Sequence, residues 1–459
     1  MTDTSVTHDQ EAKRYPLSFT QEWFLTMDKG DETGPFGSRY LIVMGLRITG
    51  PVDLTVLQGA LDDVVARHEL LRTLVVRDAN PPYQMVLPPC SVPLEVRDLP
   101  AVTGKSRDRV NRELFVEAES GAISTREVPL LRALLARFDD RDSALLVTVH
   151  HSVSDGWSVG VIVRDLAAFY EARVTGTAPK LAEMRQYREY VEWQRASAAS
   201  TDDDGALSYW AAKLDGAREF VMPTDHGHPK RYSSPYSMHG FTVDADTMAA
   251  AVALANATRG TLFTVMLAAI YVLANEITGA TDLTVDAVTS GRNELQFHNT
   301  TGLFLNVLPF RTELADCTSF RDVVLKTRDT FIDAMAHELP AGLLEKTFPD
   351  YIRSREDTRM AQFLISDTSS QDGPETFPIA EGARALELPP PEGEDAETHD
   401  LPGGGTVWYL SAEANGPLHG NVQFNLDEFE ASTAQSWTAG LNRILASAVR
   451  DPDLDWRQL

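Results

Sequence analysis

Cysteine is scarce in this chain: Cys90 and Cys317 are the only two among 459 residues. They lie far apart and have no metal-ligating neighbours, so the sequence predicts neither a disulfide framework nor a zinc site, and both are interpreted as unreactive core thiols. Clustered metal ligands and a phosphate-binding glycine loop are also missing, because the run Gly403–Gly405 lacks the strand-to-helix context of a nucleotide site. The sequence therefore predicts a protein that binds no metal and no cofactor of its own.

Long apolar runs and an excess of positive charge are missing as well. The longest apolar stretch, Leu262–Leu273, is shorter than the roughly 20 residues needed to cross a bilayer, and residues 1–10 are polar without a signal-peptide core. With 41 Lys and Arg against 67 Asp and Glu, the net charge is -26, which argues against binding to nucleic acid or anionic membranes. We expect a cytoplasmic protein.

What is present is an ordinary globular composition, with 43% apolar and 24% charged residues, in a chain long enough for two medium-sized cores. The first part alternates strand and helix patterns, which is typical of an α/β fold. In the second part the patterns predict helices over 244–260, 262–273, 319–337 and 431–449, and strands over 283–288, 302–311, 362–366, 407–410 and 421–426. The acidic, proline-rich stretch 389–398 is predicted to be a loop.

The most informative stretch contains two adjacent histidines. Residues 144–149 form a short apolar run rich in β-branched residues, which predicts a buried strand. Downstream, apolar residues at helical spacing predict a helix over 159–170 with Ser158 as its N-cap. His150 and His151 are therefore expected where a strand passes into a tight turn, a position that gives a catalytic side chain rigid support and an open face.

The residues around this turn have the chemistry of a proton-transfer site. A histidine, with a pKa of about 6.5, can take a proton from a nucleophile near neutral pH if one ring nitrogen is free and the other is held. Asp155 is expected either to orient the imidazole or to lock the turn by pairing with a distant cation. Gly156 allows a backbone conformation or a close approach that a side chain would block. Adjacent histidines at a strand end also occur as structural residues, but the fixed spacing of His, His, Asp and Gly favours catalysis.

Residues His150–Gly156 match the HHxxxDG motif of condensation domains of nonribosomal peptide synthetases, which resemble the chloramphenicol acetyltransferase superfamily. Further segments of the chain are similar to other motifs of that family and follow in the family's order: Ser18–Leu25, Arg67–Thr73, Tyr187–Gln194, Ser290–Arg292 and Gly302–Arg311. The resemblance therefore covers nearly the whole chain.

The resemblance implies an α/β fold of two chloramphenicol-acetyltransferase-like lobes, residues 1–180 and 181–459, which form a V-shaped pseudo-dimer with a central tunnel. In the family, the arginine of the Ser-Gly-Arg segment pairs with the aspartate of the histidine motif. This predicts an ion pair between Arg292 and Asp155 that bridges the two lobes. His68, in the Arg67–Thr73 motif, is interpreted as structural rather than catalytic.

The resemblance also implies roles for the site residues. His151 is predicted to act as general base or to position the acceptor, and His150 to support the turn. Backbone N–H groups near Gly156 are expected to help stabilise an oxyanion. A buried amide inside a strand needs partners, which for Asn306 suggests a substrate-facing position. The residues predicted to line the substrate tunnel are Trp157, Ser158 and Asn306.

By resemblance, the protein is expected to transfer an acyl or aminoacyl group from the phosphopantetheine thioester of a carrier protein to an amine or hydroxyl acceptor. The product is an amide or an ester in natural-product biosynthesis, and the identities of donor and acceptor stay open. The chain has no room for an adenylation domain or a carrier segment. This predicts a free-standing condensation enzyme that meets its carrier protein in trans.

Three other functions are compatible with the same motifs. An acyltransferase of the superfamily that uses coenzyme A thioesters is one, and a non-catalytic module that recruits carrier proteins is another. Epimerisation domains share the histidine motif, but Gly156–Ser158 resembles condensation domains instead. Recruitment modules typically lose the second histidine or the glycine, and both are present here.

Overall fold

The computed structural model describes residues 13–99, 102, 105–200, 204–227, 233–351, 361–366, 377–386, 396–402, 405–412 and 416–459. The chain divides into two compact units, each made of several chain segments. Unit 1 consists of Met1–Thr201, Ser290–Leu305 and Gly373–Pro389, and unit 2 of Asp202–Thr289, Asn306–Asp372 and Pro390–Leu459. This division differs from the predicted halves 1–180 and 181–459, because two later segments return to unit 1.

Strands and helices alternate along most of the chain. The strands are β1 (Lys13–Tyr15), β2 (Leu41–Thr49), β3 (Thr73–Val76), β4 (Tyr83–Val86), β5 (Leu94–Asp98), β6 (Leu131–Asp139), β7 (Asp142–His150), β8 (Ser233–Val243), β9 (Asp282–Thr289), β10 (Asn306–Glu313), β11 (Ala361–Ser366), β12 (Gly382–Ala385), β13 (Ala396–Pro402), β14 (Thr406–Ala412) and β15 (Leu418–Asn425). The α-helices are α1 (Phe19–Thr26), α2 (Leu54–Arg67), α3 (Lys105–Glu119), α4 (Gly156–Thr175), α5 (Tyr187–Ser200), α6 (Asp204–Leu214), α7 (Ala245–Ala257), α8 (Leu262–Thr278), α9 (Phe320–Ala336), α10 (Ala341–Thr347) and α11 (Ala431–Arg450). Short 3₁₀ turns cover Glu69–Arg72, His151–Val153, Leu295–Phe297 and Trp456–Gln458.

Unit 1 is organised around a five-stranded sheet with the order β12-β2-β7-β6-β5. Its neighbouring strands are antiparallel except for β5 and β6, which are parallel. A smaller sheet has the order β1-β4-β3. Helices α2 and α4 pack against each other, and buried side chains from both helices join those of β2, β6 and β7 in one core cluster. The α/β character predicted from the sequence is therefore confirmed.

Strand β7 carries the predicted histidine stretch to its place in unit 1. Every residue from Ser143 to His150 is buried, as expected for a central strand whose two faces are both covered. The strand pairs with β2 so that His150 lies opposite Leu41, and with β6 so that Val149 lies opposite Leu131. The first histidine is thus fixed by strand pairing, and the second is the first residue beyond the strand.

Helix α4 begins earlier than predicted. The helix starts at Gly156, and its N-cap is Asp155, whose carboxylate accepts a hydrogen bond from the Ser158 N–H. Ser158 therefore lies in the first turn, and its prediction as the N-cap is wrong. Both residue types favour N-caps, so the local sequence does not decide between them. The Ser158 hydroxyl makes contacts outside the helix, described below.

Unit 2 is organised around a seven-stranded sheet with the order β10-β9-β11-β14-β15-β8-β13. Its core holds side chains from all the longer helices of the unit, with α8 buried almost throughout. The predicted helices and strands of this part are present, and α8 continues beyond its predicted end to the left-handed Gly279. The predicted loop 389–398 is wrong at its end, because β13 begins at Ala396; residues 389–395 and Gly403–Gly404 lie outside the described residues.

The predicted strand 302–311 is wrong in its first half, because β10 begins only at Asn306. Residues Ser290–Leu305 belong to unit 1, and the segment that begins at Asn306 belongs to unit 2. At Gly302, an added Cβ would lie 2.2 Å from a ring atom of Tyr187, so the backbone there packs directly against an aromatic ring. Contacts distant in sequence therefore override the alternating apolar pattern.

The two cysteines are unpaired, as the sequence predicts. Cys317 is buried and Cys90 is half-buried against the core of unit 1. Burial raises the pKa of both thiols, which makes them poor nucleophiles.

In the part of the chain that the structure describes, no single helix combines the length and the apolar character needed to span a membrane. Helices α7 and α8 meet the length and composition criteria only when they are taken together, and the pair bends by 106°.

The turn before Arg292 requires a glycine. Gly291 has a φ of 60°, and an added Cβ would lie 1.9 Å from the Phe304 carbonyl oxygen. Gly176 after α4 has a similar φ of 67° but no atom within 4 Å of such a Cβ. We expect Gly176→Ala to cost about 1 to 2 kcal/mol of unfolding free energy, and Gly291→Ala about 1 to 3 kcal/mol more. Urea unfolding of the two variants measures the difference; equal losses would contradict the close contact.

Candidate active site

The two histidines lie between the last residue of β7 and the first turn of α4. His150 ends the strand, His151 begins a 3₁₀ turn that ends at Val153, and Gly156 is the first residue of the helix. The backbone N–H of His151 still continues the sheet by donating to the Tyr40 carbonyl at 2.8 Å. The backbone of the second histidine is therefore held by the residue that precedes β2.

The ring of His151 has one nitrogen fixed and the other open. Its Nδ1 lies 2.8 Å from the Ser154 carbonyl oxygen. Because a carbonyl oxygen can only accept, Nδ1 carries the proton in the neutral ring and Nε2 keeps a lone pair. Among the described residues no group makes a hydrogen bond to Nε2. Burial lowers the pKa of His151, so the neutral form that a general base needs is favoured.

The Tyr40 ring holds the plane of the His151 ring. The two rings are stacked, with centroids 4.6 Å apart and planes inclined by 10°. A half-buried imidazole with one hydrogen bond could still rotate about its side-chain bonds, and the stacked ring opposes that rotation. Tyr40 immediately precedes β2, so the same residue supports the backbone and the ring of His151.

His150 has a structural environment. The side chain is fully buried, and its Nε2 donates to the Gly37 carbonyl oxygen at 2.9 Å. Its Nδ1 accepts the Ser152 N–H at 3.1 Å, which closes the 3₁₀ turn. Burial lowers the pKa of His150 to about 4, so the ring is neutral at physiological pH. Both ring nitrogens are engaged, which agrees with the predicted supporting role.

Asp155 and Arg292 form the predicted ion pair. One Arg292 Nη atom lies 3.0 Å and 3.3 Å from the two carboxylate oxygens of Asp155. Asp155 also accepts the Ser158 N–H at 2.8 Å and the Phe304 N–H at 3.1 Å. Both members of the pair belong to unit 1, so the ion pair joins α4 to the segment 290–305 within one compact unit. The expectation that it bridges two lobes is not what these units show.

The Arg292 guanidinium organises the segment that carries it. Its other Nη atom donates to the carbonyl oxygens of Phe297 at 3.0 Å and Thr300 at 2.8 Å. The guanidinium carbon lies 3.9 Å from the centre of the Phe304 ring. Only 4% of Arg292 is exposed, so the charge is stabilised by the Asp155 carboxylate, by backbone carbonyls and by an aromatic face rather than by water.

The protein around Gly156 does not require a glycine at this position. It lies in an ordinary helical conformation at the start of α4, and an added Cβ would meet no atom within 4 Å. The expectation that a special backbone conformation requires glycine is therefore wrong. The space beside Gly156 is open, and its N–H makes no hydrogen bond to a described residue, as is usual in the first turn of a helix.

Two of the predicted tunnel residues make structural contacts in unit 1. The Ser158 hydroxyl accepts from Arg292 at 2.7 Å and from the Gly302 N–H at 2.9 Å, and donates to the Gly302 carbonyl at 2.9 Å. The Trp157 indole donates to the His298 carbonyl at 2.8 Å. The Ser158 hydroxyl is thus fully used, whereas the half-buried Trp157 keeps an accessible ring. A tunnel position for either residue stays a prediction.

Asn306, the third predicted tunnel residue, belongs to unit 2. Its amide nitrogen donates to Glu338 Oε1 at 2.8 Å and to the Leu339 carbonyl at 2.9 Å, and its amide oxygen accepts the Ala341 N–H at 2.8 Å. These contacts attach the start of α10 to β10. The buried amide has the partners it needs within the protein, and its exposure to substrate stays a prediction.

His68 lies away from the histidine turn, in agreement with its structural interpretation. Its fully buried ring places Nε2 3.0 Å from Asp165 on α4 and Nδ1 3.3 Å from Thr301. Burial raises the pKa of Asp165, but hydrogen bonds from His68 and Arg67 outweigh that effect and lower it. The motif that contains His68 thus ties α2 to α4 rather than supplying a reacting group.

Several groups that support the site were not predicted. Tyr40 stacks on one histidine, and the Gly37 and Ser154 carbonyls each hold a ring nitrogen. A sequence motif does not show which backbone carbonyls accept hydrogen bonds from side chains. Tyr40 could have been found from strand pairing, because it precedes the strand that lies beside the histidines. Among the described residues no group of three or more His, Cys, Asp or Glu side chains has the arrangement to hold a metal ion.

Comparison with known proteins identifies the family of the chain. The family model described as Condensation domain matches residues 11–459. The chain belongs to the condensation domain family of nonribosomal peptide synthesis, whose members act in the biosynthesis of antibiotics and other secondary metabolites.

The curated relatives are much longer than the part that this chain matches. A linear gramicidin synthase of Brevibacillus parabrevis is 30% identical over 443 residues, which cover 95% of this chain and 8% of that protein. Chondramide synthase of Chondromyces crocatus is 29% identical, with 95% of this chain and 11% of that protein covered. The chain thus spans about a tenth of the length of these relatives.

Solved structures match the fold over almost the whole chain. The SgcC5 protein from Streptomyces globisporus, crystallised with (R)-(-)-1-(2-naphthyl)-1,2-ethanediol and sucrose, is 35% identical with a TM-score of 0.85, and the match covers 96% of this chain and 100% of that one. The first condensation domain of the calcium-dependent antibiotic synthetase has a TM-score of 0.79 at 19% identity, with 97% and 98% covered. Because its identity is only 19%, the second match supports the fold but not the function.

The ion pair makes a prediction about stability. Arg292→Ala leaves the Asp155 carboxylate buried without its cation and frees two backbone carbonyls, so we expect a loss of about 3 to 5 kcal/mol of unfolding free energy. Arg137, whose 2.7 Å pair with Asp98 is exposed, is the control, and Arg137→Ala should cost less than about 1 kcal/mol. Denaturant unfolding measures both. An Arg292→Ala variant as stable as the control variant would contradict this account of the pair.

Proposed function

We propose that the protein is an acyltransferase that moves an acyl or aminoacyl group from the phosphopantetheine thioester of a carrier protein to an amine or hydroxyl acceptor. The observation that carries the proposal is the hydrogen bonding of the two nitrogens of the His151 ring. Its Nδ1 is fixed by the Ser154 carbonyl, and its Nε2 has a lone pair and no hydrogen-bond partner among the described residues. This is the arrangement that a general base requires.

In the proposed reaction, the acceptor amine or alcohol donates its proton to Nε2 of His151 while its nitrogen or oxygen attacks the thioester carbonyl carbon. The carbonyl electrons move to the oxygen, and in this proposal the N–H of Gly156 at the start of α4 stabilises that oxyanion. The C–S bond then breaks, the C=O bond re-forms, and the thiolate takes the proton from the imidazolium. The products are an amide or ester and the free phosphopantetheine thiol.

The surroundings of His151 support a role in proton transfer. The Tyr40 ring lies parallel to the imidazole, and an aromatic face stabilises the imidazolium that forms transiently. Burial favours return of the proton to the leaving thiolate, because it lowers the pKa of the ring. The same histidine can therefore act as base and then as acid within one turnover.

The partner and the acceptor are further parts of the proposal. We propose that the chain acts on its carrier protein in trans in the cytoplasm. For the acceptor, support comes from SgcC5, which is 35% identical to this chain. That relative was crystallised with an aryl ethanediol, a compound with two hydroxyl groups. A hydroxyl acceptor, and hence an ester product, is therefore to be tested on equal terms with an amine.

The proposal is tested directly by offering one loaded carrier protein a panel of amine and alcohol acceptors and analysing the products by mass spectrometry. Acyl transfer from the carrier to at least one acceptor is the expected result. Parallel reactions with the same acyl group on coenzyme A identify a coenzyme A-dependent acyltransferase. Acceptor-free reactions that invert the donor stereocentre identify an epimerase. No change with any donor would point to a recruitment module and contradict the proposed transfer.

Replacing the base should reduce the rate without preventing folding. We expect His151→Ala to slow transfer about 100- to 10,000-fold, the usual contribution of a general base. His226, an exposed histidine of unit 2, is the control, and His226→Ala should leave the rate unchanged. Product formation from loaded carrier under single-turnover conditions measures the effect. Turnover of the His151→Ala variant close to that of the unmutated protein would remove the base assignment.

The pKa of His151 makes a prediction about pH. The base works in its neutral form, and burial lowers its pKa below the ordinary value. The acid limb of the kcat/KM profile should therefore have its midpoint below about pH 6.5, the pKa of an unperturbed histidine. Rates measured with pre-loaded carrier across the acidic range check this. An acid limb centred above neutral pH would contradict the burial effect.

A further inference from the structure

The loop between α1 and β2 supports both histidines. We call residues 27–39 the support loop. The Gly37 carbonyl accepts the hydrogen bond of His150 Nε2 at 2.9 Å. The loop ends directly before Tyr40, whose carbonyl accepts the His151 N–H and whose ring stacks on the His151 imidazole. The placement of both rings therefore depends on where this loop lies.

The support loop contains no regular secondary structure, and Arg77 contacts it at several points. Arg77, which follows β3, places one Nη atom 2.7 Å from each carboxylate oxygen of Asp28 and donates with its other Nη atom to Asp31. Its guanidinium carbon lies 4.9 Å from the centre of the Phe36 ring. One guanidinium thus contacts three residues spread along the loop.

Arg77 is nearly enclosed although its two partners reach solvent. Its side chain is 4% exposed, against 22% for Asp28 and 51% for Asp31. A buried guanidinium needs all its partners in place, so the loop has one position in which this charge is satisfied. The loop has other attachments as well. Arg126 Nε lies 3.0 Å and 3.3 Å from the two carboxylate oxygens of Asp31, the Ile123 N–H donates to the Ser38 carbonyl at 2.9 Å, and the Thr125 hydroxyl donates to the Phe36 carbonyl at 3.1 Å.

The charge of Arg77 also acts on the histidines. The pKa of His150 is lowered chiefly by burial, and the positive charge of Arg77 lowers it further. A neutral His150 keeps a lone pair on Nδ1, which accepts the Ser152 N–H and so closes the turn that carries His151. The arginine thus favours the protonation state on which the turn depends.

We propose that Arg77 is a positioning residue of the transfer reaction: through Asp28 and Asp31 it fixes the support loop, whose Gly37 carbonyl and adjoining Tyr40 ring orient His150 and His151. Arg77 does not touch the reacting atoms in this role. The proposal rests on the proposed function for its kinetic consequence, but the orientation of the rings can be measured without any substrate.

The consequence of losing Arg77 follows from the geometry. Without the guanidinium, Asp28 loses the cation it pairs with, Asp31 keeps only Arg126, and the loop loses its attachment to the end of β3. The Gly37 carbonyl and the Tyr40 ring can then shift, and Nε2 of His151 no longer points in one direction. A misplacement of about 1 Å near a reacting group can cost about 100-fold in rate. We expect a lower kcat with little change in KM, because no group that binds substrate is removed.

The test uses the full-length protein with Arg77→Gln, which removes the charge, and Arg77→Lys, which keeps the charge but loses the fork that reaches both carboxylates. Arg137→Gln, which breaks an exposed ion pair in the same unit, is the matched control. The measurements are kcat and KM for transfer from loaded carrier, the thermal unfolding midpoint, and ¹⁵N NMR of histidine-labelled protein. The His150→Gln and His151→Ala variants assign the ring signals.

We expect Arg77→Gln to lower kcat about 10- to 100-fold at unchanged KM, with Arg77→Lys between it and the unmutated protein. The ¹⁵N signals of His150 and His151 should move toward tautomer averaging in Arg77→Gln and stay unchanged in Arg137→Gln. If Arg77→Gln does not fold, Asp28→Asn, which weakens the same attachment, carries the same comparison.

A merely structural role gives a different result. Lowered unfolding midpoints with kcat within twofold and unchanged histidine signals would overturn the proposal. If neither the unmutated protein nor any variant transfers an acyl group, the proposed function fails. The NMR comparison alone then decides whether Arg77 orients the histidines. Unchanged signals in that case would overturn the positioning role as well.

Discussion

The site depends on how one buried carboxylate is neutralised. Asp155 accepts hydrogen bonds from the Arg292 guanidinium, from the Ser158 N–H at the start of α4 and from the Phe304 N–H. A carboxylate with fewer partners would not be stable in a protein interior, so these groups must come together for unit 1 to fold around it. The first turn of α4 is thereby fixed where the histidine turn ends. The segment 290–305, distant in the sequence, is fixed against the same helix.

The two adjacent histidines show how the surroundings assign a task to a side chain. The His150 ring has a carbonyl oxygen at Nε2 and an N–H group at Nδ1. The ring is therefore neutral, and neither nitrogen is available to exchange a proton with a substrate. The His151 ring has a carbonyl oxygen at Nδ1 instead, which leaves the lone pair on Nε2. In the proposed function, the supporting imidazole differs from the reactive one because both of its ring nitrogens have hydrogen-bond partners.

The sequence predicted the parts of this site that depend on local pattern. The buried strand before the histidines, the helix after them and the pairing of Asp155 with Arg292 follow from the apolar periodicity and from the family motifs. The helix start was predicted three residues late, because Ser158 is as good a cap residue as Asp155 and its hydroxyl is used instead by Gly302 and Arg292. Residues 302–305 looked like the start of a strand, but contacts from α4 hold them outside the sheet.

What the sequence could not provide are the contacts between distant segments. Backbone carbonyls such as those of Gly37 and Ser154 have no sequence signature, and the return of 290–305 and 373–389 to unit 1 cannot be read from local composition. The most direct measurement of the central claim is the tautomer of His151 in the unmutated protein, determined by ¹⁵N NMR at neutral pH. We expect the proton on Nδ1 and a bare Nε2. A proton on Nε2 with a bare Nδ1 would contradict the role of His151 as a general base.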